Sequence, residues 1–213
     1  MLYLAENLKA LRKEKNLTQE DTAELLGVSP QSVSKWERGD TLPDITLLPA
    51  LANLYKVSVD FLLGMDKINQ QQTRNNVFIA AHEHLQNGDV NAAIEVYSEA
   101  LKLFPSDEGM LSDLAIALAL TDDPAKLSQA LALCERVLAG HRNEKFHHTT
   151  RAALSLILLK AGEKEKALQI AGQLSHVRES REHILAEIEK EPAADAINGY
   201  LKLIALGELQ TTS

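Results

Sequence analysis

The chain has 213 residues, enough for one large domain or two small ones and too few for a mosaic of several. Hydrophobic residues make up 45% and charged residues 24%, the balance of a chain that folds in water, which sets aside disordered, collagen-like and membrane-spanning classes. The net charge is −8, with 8 basic and 10 acidic residues through Lys67 and 14 and 20 beyond it. That balance excludes non-specific phosphate binding as the whole function, because such binding is driven by an excess of lysine and arginine.

Aromatics are only 4%, while Leu and Ala dominate and Gly and Pro are few, so an all-α protein is expected. Leu4, Leu8 and Leu11 share one helical stripe, and Asn16 ends that first helix. Thr18 followed by Asp21 forms a weaker variant of the capping box ahead of Ala23, Leu25 and Leu26, and Gly27 stops the second helix. Ser29 caps a third helix with Pro30 in its first turn, running through Val33 and Trp36 to Gly39. Asp44 and Ser58 can cap two more, the fourth containing Pro49 and the fifth ending at Gly64. The region 1–64 therefore reads as five helices with short connections.

From Met65 to Asn76 the apolar period fades and amides accumulate, so 65–76 is the expected linker; its Gln and Lys residues are also compatible with a continuing helix. Beyond it, in 77–213, Ala93, Ala130 and Ala167 recur 37 residues apart. Val96, Leu133 and Ile170 occupy one equivalent position, Tyr97, Cys134 and Ala171 the next, and Ala100, Val137 and Leu174 another. Each set follows a break, at Gly88, at Asp122-Asp123-Pro124 and at Gly162, so each unit reads as two helices joined by a turn, stacking into a short α-solenoid.

The stretches Leu17-Thr18-Gln19-Glu20, Leu26 to Gly39, Leu42-Pro43-Asp44 and Phe61-Leu62-Leu63-Gly64 together resemble the helix-turn-helix domain of phage-repressor-like bacterial regulators, the xenobiotic-response-element family. That resemblance covers roughly residues 2–64 and implies that 19–26 and 30–38 form the helix-turn-helix. Independently of the family, a helix starting at Ser29 turns Val33 and Trp36 inward and exposes Gln31, Ser32 and Lys35. Gln can pair bidentately with adenine, and Lys reaches guanine acceptors. Gln19 lies at a helix N-terminus, where N–H groups favour a phosphate, and the matching glutamine of similar repressors contacts one. The candidate DNA-contacting set is Gln19, Ser29, Gln31, Ser32, Ser34, Lys35 and Arg38. Arg12 and Glu37 match positions that form an internal ion pair in that family. Asp40 and Leu42 depart from it, standing where related repressors place basic residues against phosphate, which implies fewer phosphate contacts per monomer and a need for dimerisation on two half-sites.

The second part resembles tetratricopeptide repeats, most clearly over Asn75–Pro105, where Ala81, Gly88, Ala93, Tyr97, Ala100 and Pro105 hold that family's small, large and proline positions. Leu118 and Ser155 are imperfect substitutes for the small residue of the first helix, and Arg178–Leu209 is expected to add one or two helices that cap the stack or pair two subunits. The first helix of each repeat would line a groove including Asn75, Phe78, His82, Gln86, Thr149, Ala152, Leu156 and Lys160. In larger two-part regulators of Gram-positive bacteria that are similar to this plan, the repeats bind short signalling peptides; dimerisation is the competing task for the same surface.

His82-x-His84 and His147-His148 have poor spacing for a helical zinc site, so no metal and no cofactor is expected. Cys134 is the only cysteine, which removes intramolecular disulfides, and its place among inward-facing repeat positions favours a small buried hydrophobe over a redox sensor. Met1–Leu11 carries Glu6 and Lys9 instead of an apolar signal core, and the longest apolar run, Leu154–Leu159, is far below a membrane span, so the expected compartment is the cytoplasm. No phosphate-binding loop or nucleophile elbow is found, and an enzyme is not expected. The reading is a dimeric, sequence-specific transcriptional regulator whose partners are an operator duplex, a second copy of itself and a candidate peptide or protein effector. The alternative is a repeat adaptor or antitoxin-like protein with weak or no DNA binding.

Overall fold

The structure, a computed structural model, describes residues 2–140, 144–174 and 180–206. Among these all regular structure is helical, and the chain divides into two units, the first ending at Thr73 and the second starting at Arg74. No helix among the described residues is long and apolar enough to cross a membrane.

The first unit holds α1 (Leu2–Glu14), α2 (Gln19–Leu26), α3 (Pro30–Arg38), one 3-10 turn (Ile45–Leu47), α4 (Leu48–Tyr55), α5 (Val59–Leu63) and the start of α6 (Met65–Gln86). The boundaries follow local chemistry. Asn16, at φ 56, turns the chain out of α1. Thr18 and Asp21 close a reciprocal cap at α2, with Asp21 N–H donating to Thr18 Oγ1 at 3.0 Å and Thr18 N–H to Asp21 Oδ2 at 2.8 Å. Gly27 takes φ 67, and Val28 N–H reaches back to Ala23 O at 3.0 Å, so three residues suffice to turn α2 into α3. Asp44 caps the 3-10 turn rather than α4, which places Pro49 in the first turn of α4 instead of its interior, where its missing N–H costs little. Leu4, Leu8, Leu11, Ala23, Val33, Trp36, Leu51, Tyr55 and Leu62 form the core, each large apolar side chain contributing about 1.5–3 kcal/mol on burial. Asn7 Nδ2 donates to the carbonyls of Phe61 and Leu62 at 2.9 and 3.2 Å, satisfying the end of α5 from α1.

Residues 65–76, the expected linker, are helical throughout as part of α6. In the second unit the rest of α6 is followed by α7 (Val90–Leu103), α8 (Glu108–Ala119), α9 (Pro124–Ala139), α10 (Glu144–Lys160), α11 (Lys164–Ala171), α12 (Ser180–Glu189) and α13 (Ala194–Ala205). Of the stretch Arg178–Leu209, residues 178–179 and 207–209 lie outside the described residues, and the remainder contains α12 and α13. Successive helices from α7 to α12 pack against one another. Ala93, Ala130 and Ala167 are each fully buried, as are Tyr97, Cys134 and Ala171, so the 37-residue spacing marks equivalent inward positions. Helix α8 is buried from Gly109 to Ala119 except at Asp113, making it the centre of this unit. The last helix, α13, packs against α8 and α10.

Candidate nucleic-acid interface

Helix α3 is amphipathic because Val33, Trp36 and Glu37 lie on its inner side, while Gln31, Lys35 and Arg38 are exposed. Ser29 Oγ accepts the Ser32 N–H at 3.1 Å and lies 2.9 Å from Ser32 Oγ, so these two hydroxyls form the N-terminal cap. Their first task is to start the helix. Gln31 and Lys35, four residues apart on one face, have no hydrogen bond or ion pair among the described residues.

Behind this face lies a buried charged network. Arg12 Nε donates to Glu37 Oε1 at 2.6 Å and Nη2 to Oε2 at 2.9 Å, while Nη1 reaches Leu17 O at 2.8 Å. The ion pair implied by the family resemblance is therefore present. Burial pushes the Glu37 carboxyl up, but hydrogen bonds from Arg12 and Gln19 outweigh it and hold the group below the usual carboxylate range. Half-buried Gln19 donates one amide hydrogen to Glu37 Oε2 at 2.9 Å. An amide nitrogen has a second hydrogen, so Gln19 is oriented by Glu37 and keeps a donor for another acceptor.

At the other end of α3, Arg38 Nε donates to Asp40 Oδ2 at 2.8 Å and Nη1 to Ser34 Oγ at 2.8 Å. The seven candidate residues thus divide by commitment: Ser29 and Ser32 cap, Gln19 rests on Glu37, Ser34 and Arg38 hold each other, and Gln31 and Lys35 stand free.

The expected groove residues of the second unit are distributed differently. Phe78 and His82 on α6 pack inward, the Phe78 ring meeting Tyr97 and His82 edge-on at 6.0 and 6.2 Å, with the Arg74 guanidinium 4.8 Å above it. Arg74 pairs with Asp107. Asp113 Oδ2 accepts the Tyr97 hydroxyl at 3.1 Å and lies 3.4 Å from His82 Nε2. Burial raises the Asp113 carboxyl, against the lowering effect of His82. Asn75 and Gln86 are exposed, and Thr149 is half-buried.

Three groove assignments are corrected. Leu156 is only 1% exposed and belongs to the core, as does Ala152. Lys160, with a side chain 10% exposed, donates to Ala119 O at 2.7 Å, Thr121 O at 3.1 Å and Asn198 Oδ1 at 2.9 Å. Its three N–H donors close the end of α8 and fasten α13. The chain's own helix α13 lies against α8 and α10, the side that repeat periodicity assigns to a ligand.

Asp113 escaped sequence analysis, although a lone carboxylate inside the apolar run Met110–Ala119 is a signal of an internal polar contact. Cys134 is fully buried, and burial pushes its thiol up to about 12. Among the described residues no three His, Cys, Asp or Glu side chains gather as metal ligands. His82 turns to Asp113 while His84 lies 3.9 Å from Asp89.

A family profile described as helix-turn-helix matches residues 8–62. The chain is 33% identical over 107 residues to YqaE of Bacillus subtilis, an uncharacterized HTH-type transcriptional regulator, covering 46% of this chain and 92% of that one. It is 34% identical over 107 residues to the HTH-type transcriptional regulator ImmR of Bacillus subtilis, covering 50% and 77%. Among solved structures, that of Bacillus thuringiensis PlcR in complex with a peptide and DNA aligns over 100% of both chains, at 17% identity and a TM-score of 0.37.

Proposed function

This chain belongs to the helix-turn-helix transcriptional regulators, and from that premise we propose that it acts as a homodimer whose two α3 helices enter successive major grooves of an operator. It is a sequence-specific DNA-binding regulator and not an enzyme. The carrying observation is the pair Gln31 and Lys35, exposed and unpartnered on the face of α3 opposite buried Val33 and Trp36. These two read base edges. Gln19, oriented by Glu37, and Arg38 with Ser34 address phosphates on either side and set the register.

The second unit is a tetratricopeptide-like stack that supplies subunit contacts and a candidate surface for a peptide or protein effector. With α13 against α8 and α10, that surface is sought beside exposed Asn75 and Gln86. An effector acts only if it favours one arrangement of the two heads over another.

Selection of duplexes from a random pool by the full-length protein at ~150 mM salt tests this reading, since non-specific attraction is weak there. The expected result is a two-fold symmetric consensus with half-sites ~34–36 Å apart. An asymmetric single site would overturn the dimer, and an absence of enrichment from folded protein would overturn operator reading and favour the adaptor.

A further inference from the structure

We propose that Asp40 tunes the DNA affinity of this regulator by occupying the edge of the Arg38 guanidinium that a backbone phosphate would otherwise take. The proposal rests on the operator-binding reading and adds to it a residue that opposes binding.

The geometry is fixed by the end of α3. Gly39 caps the helix at φ 78, and Asp40 N–H donates to Lys35 O at 3.0 Å, so the Asp40 backbone is pinned one turn beyond Lys35. From there its Oδ2 accepts from Arg38 Nε at 2.8 Å and lies 2.7 Å from Nη2. Nη1 is held by Ser34 Oγ at 2.8 Å. Three of the five guanidinium donors are therefore committed, and the Nε–Nη2 edge, which suits a carboxylate or phosphate alike, is taken. Both side chains face solvent, at 57% and 51% exposure, on the helix that carries Gln31 and Lys35. Solvent-exposed pairs of this kind hold weakly, so Asp40 competes with phosphate without blocking it.

The consequence is electrostatic. A neutral Arg38–Asp40 pair that touches a phosphate displaces no counterion, whereas a free Arg38 displaces about one. In a region with 8 basic and 10 acidic residues through Lys67, one cation is a large share of the attraction.

The test measures Kd for the duplex enriched by selection between ~75 and ~300 mM salt, using full-length wild type, Asp40→Asn, Arg38→Gln and the double variant. One added phosphate contact steepens the slope of log K against log salt by about 0.9. Taking that contact as worthless near ~1 M salt, Asp40→Asn tightens binding about five-fold at ~150 mM and about ten-fold at ~75 mM. In the Arg38→Gln background the gain falls below about two-fold, because no guanidinium remains to release. Melting curves confirm that each variant is folded.

An unchanged Kd and slope in Asp40→Asn overturns the proposal while leaving operator binding intact. An equal gain with and without Arg38 also overturns it, since Asp40 would then act only as a bare charge. If neither wild type nor Asp40→Asn enriches any duplex, operator reading falls and this proposal falls with it.

Discussion

Arg12 and Glu37 meet through two parallel hydrogen bonds, Nε to Oε1 at 2.6 Å and Nη2 to Oε2 at 2.9 Å, with side chains 13% and 3% exposed. The pair joins α1 to α3 behind the exposed face that carries Gln31 and Lys35, and orients Gln19 from α2. Glu37→Gln leaves a guanidinium buried without its counter-charge, so the head loses about 3 kcal/mol of stability, measured by urea denaturation. Because the Glu37 carboxyl sits below its ordinary range in the fold, its stabilisation is complete above the unfolded-state pKa and fades as pH falls through the depressed value. Glu37→Gln therefore flattens the acid side of the stability profile.

Gln31 contributes nothing to the fold, which makes it a clean probe of reading. Gln31→Ala should leave the melting temperature unchanged and relax discrimination at one base pair by about 1–3 kcal/mol. Kd values on the selected duplex and on single-substitution duplexes measure this. Uniform weakening on every duplex would place Gln31 on the backbone instead.

Lys160→Met removes three hydrogen bonds made by one buried ammonium and leaves the carbonyls of Ala119 and Thr121 without that donor. The expected loss is about 2–4 kcal/mol. Hydrogen exchange should show α13 amides losing protection before those of α8, since α13 loses its Asn198 anchor while α8 stays enclosed.

Asp113→Asn tests the internal carboxylate. A raised carboxyl means the folded state holds its proton more readily than the unfolded chain, so stability falls as pH rises through the folded value. Asn carries no ionisable carboxyl, so it is free of that linkage, and it retains an acceptor for Tyr97. The variant should match or exceed wild type at neutral pH, with its relative advantage shrinking toward pH 4 in denaturation measurements.

Gly27 and Gly64 both cap helices in the left-handed region, at φ 67 and 69, yet their surroundings differ. A Cβ at Gly27 meets nothing within 4 Å, while one at Gly64 falls 2.6 Å from Tyr3 Cβ. Gly27→Ala should cost about 1 kcal/mol from backbone strain, and Gly64→Ala about 3 kcal/mol because α1 must also shift. Urea denaturation of the two variants resolves the difference.

The head was largely legible because its signals are local. Thr18 with Asp21, Ser29 with Pro30, and Gly27 and Gly64 each specify a helix end through bonds within a few residues. The 37-residue spacing of Ala93, Ala130 and Ala167 likewise identified inward positions, since burial of small residues repeats with the stack. Periodicity assigns faces but not the element that covers them, so the packing of α13 on α8 and α10 was not readable. Lys160 shows why: lysine at a helix end usually reaches solvent, and only the distant carbonyls of Ala119 and Thr121 and the side chain of Asn198 draw this one inside. The Arg38–Asp40 contact was missed for a smaller reason, that Asp40 counted only as an absent cation.

Cys134 gives the second unit a reporter of its own motion. It is the single sulfhydryl in the chain, sealed in the stack and kept protonated by its surroundings, so a thiol-directed label attaches only during excursions that open the α8–α9 packing. Labelling rate then works as a clock for breathing of the repeats, and any duplex, peptide or partner that quiets the stack will slow it.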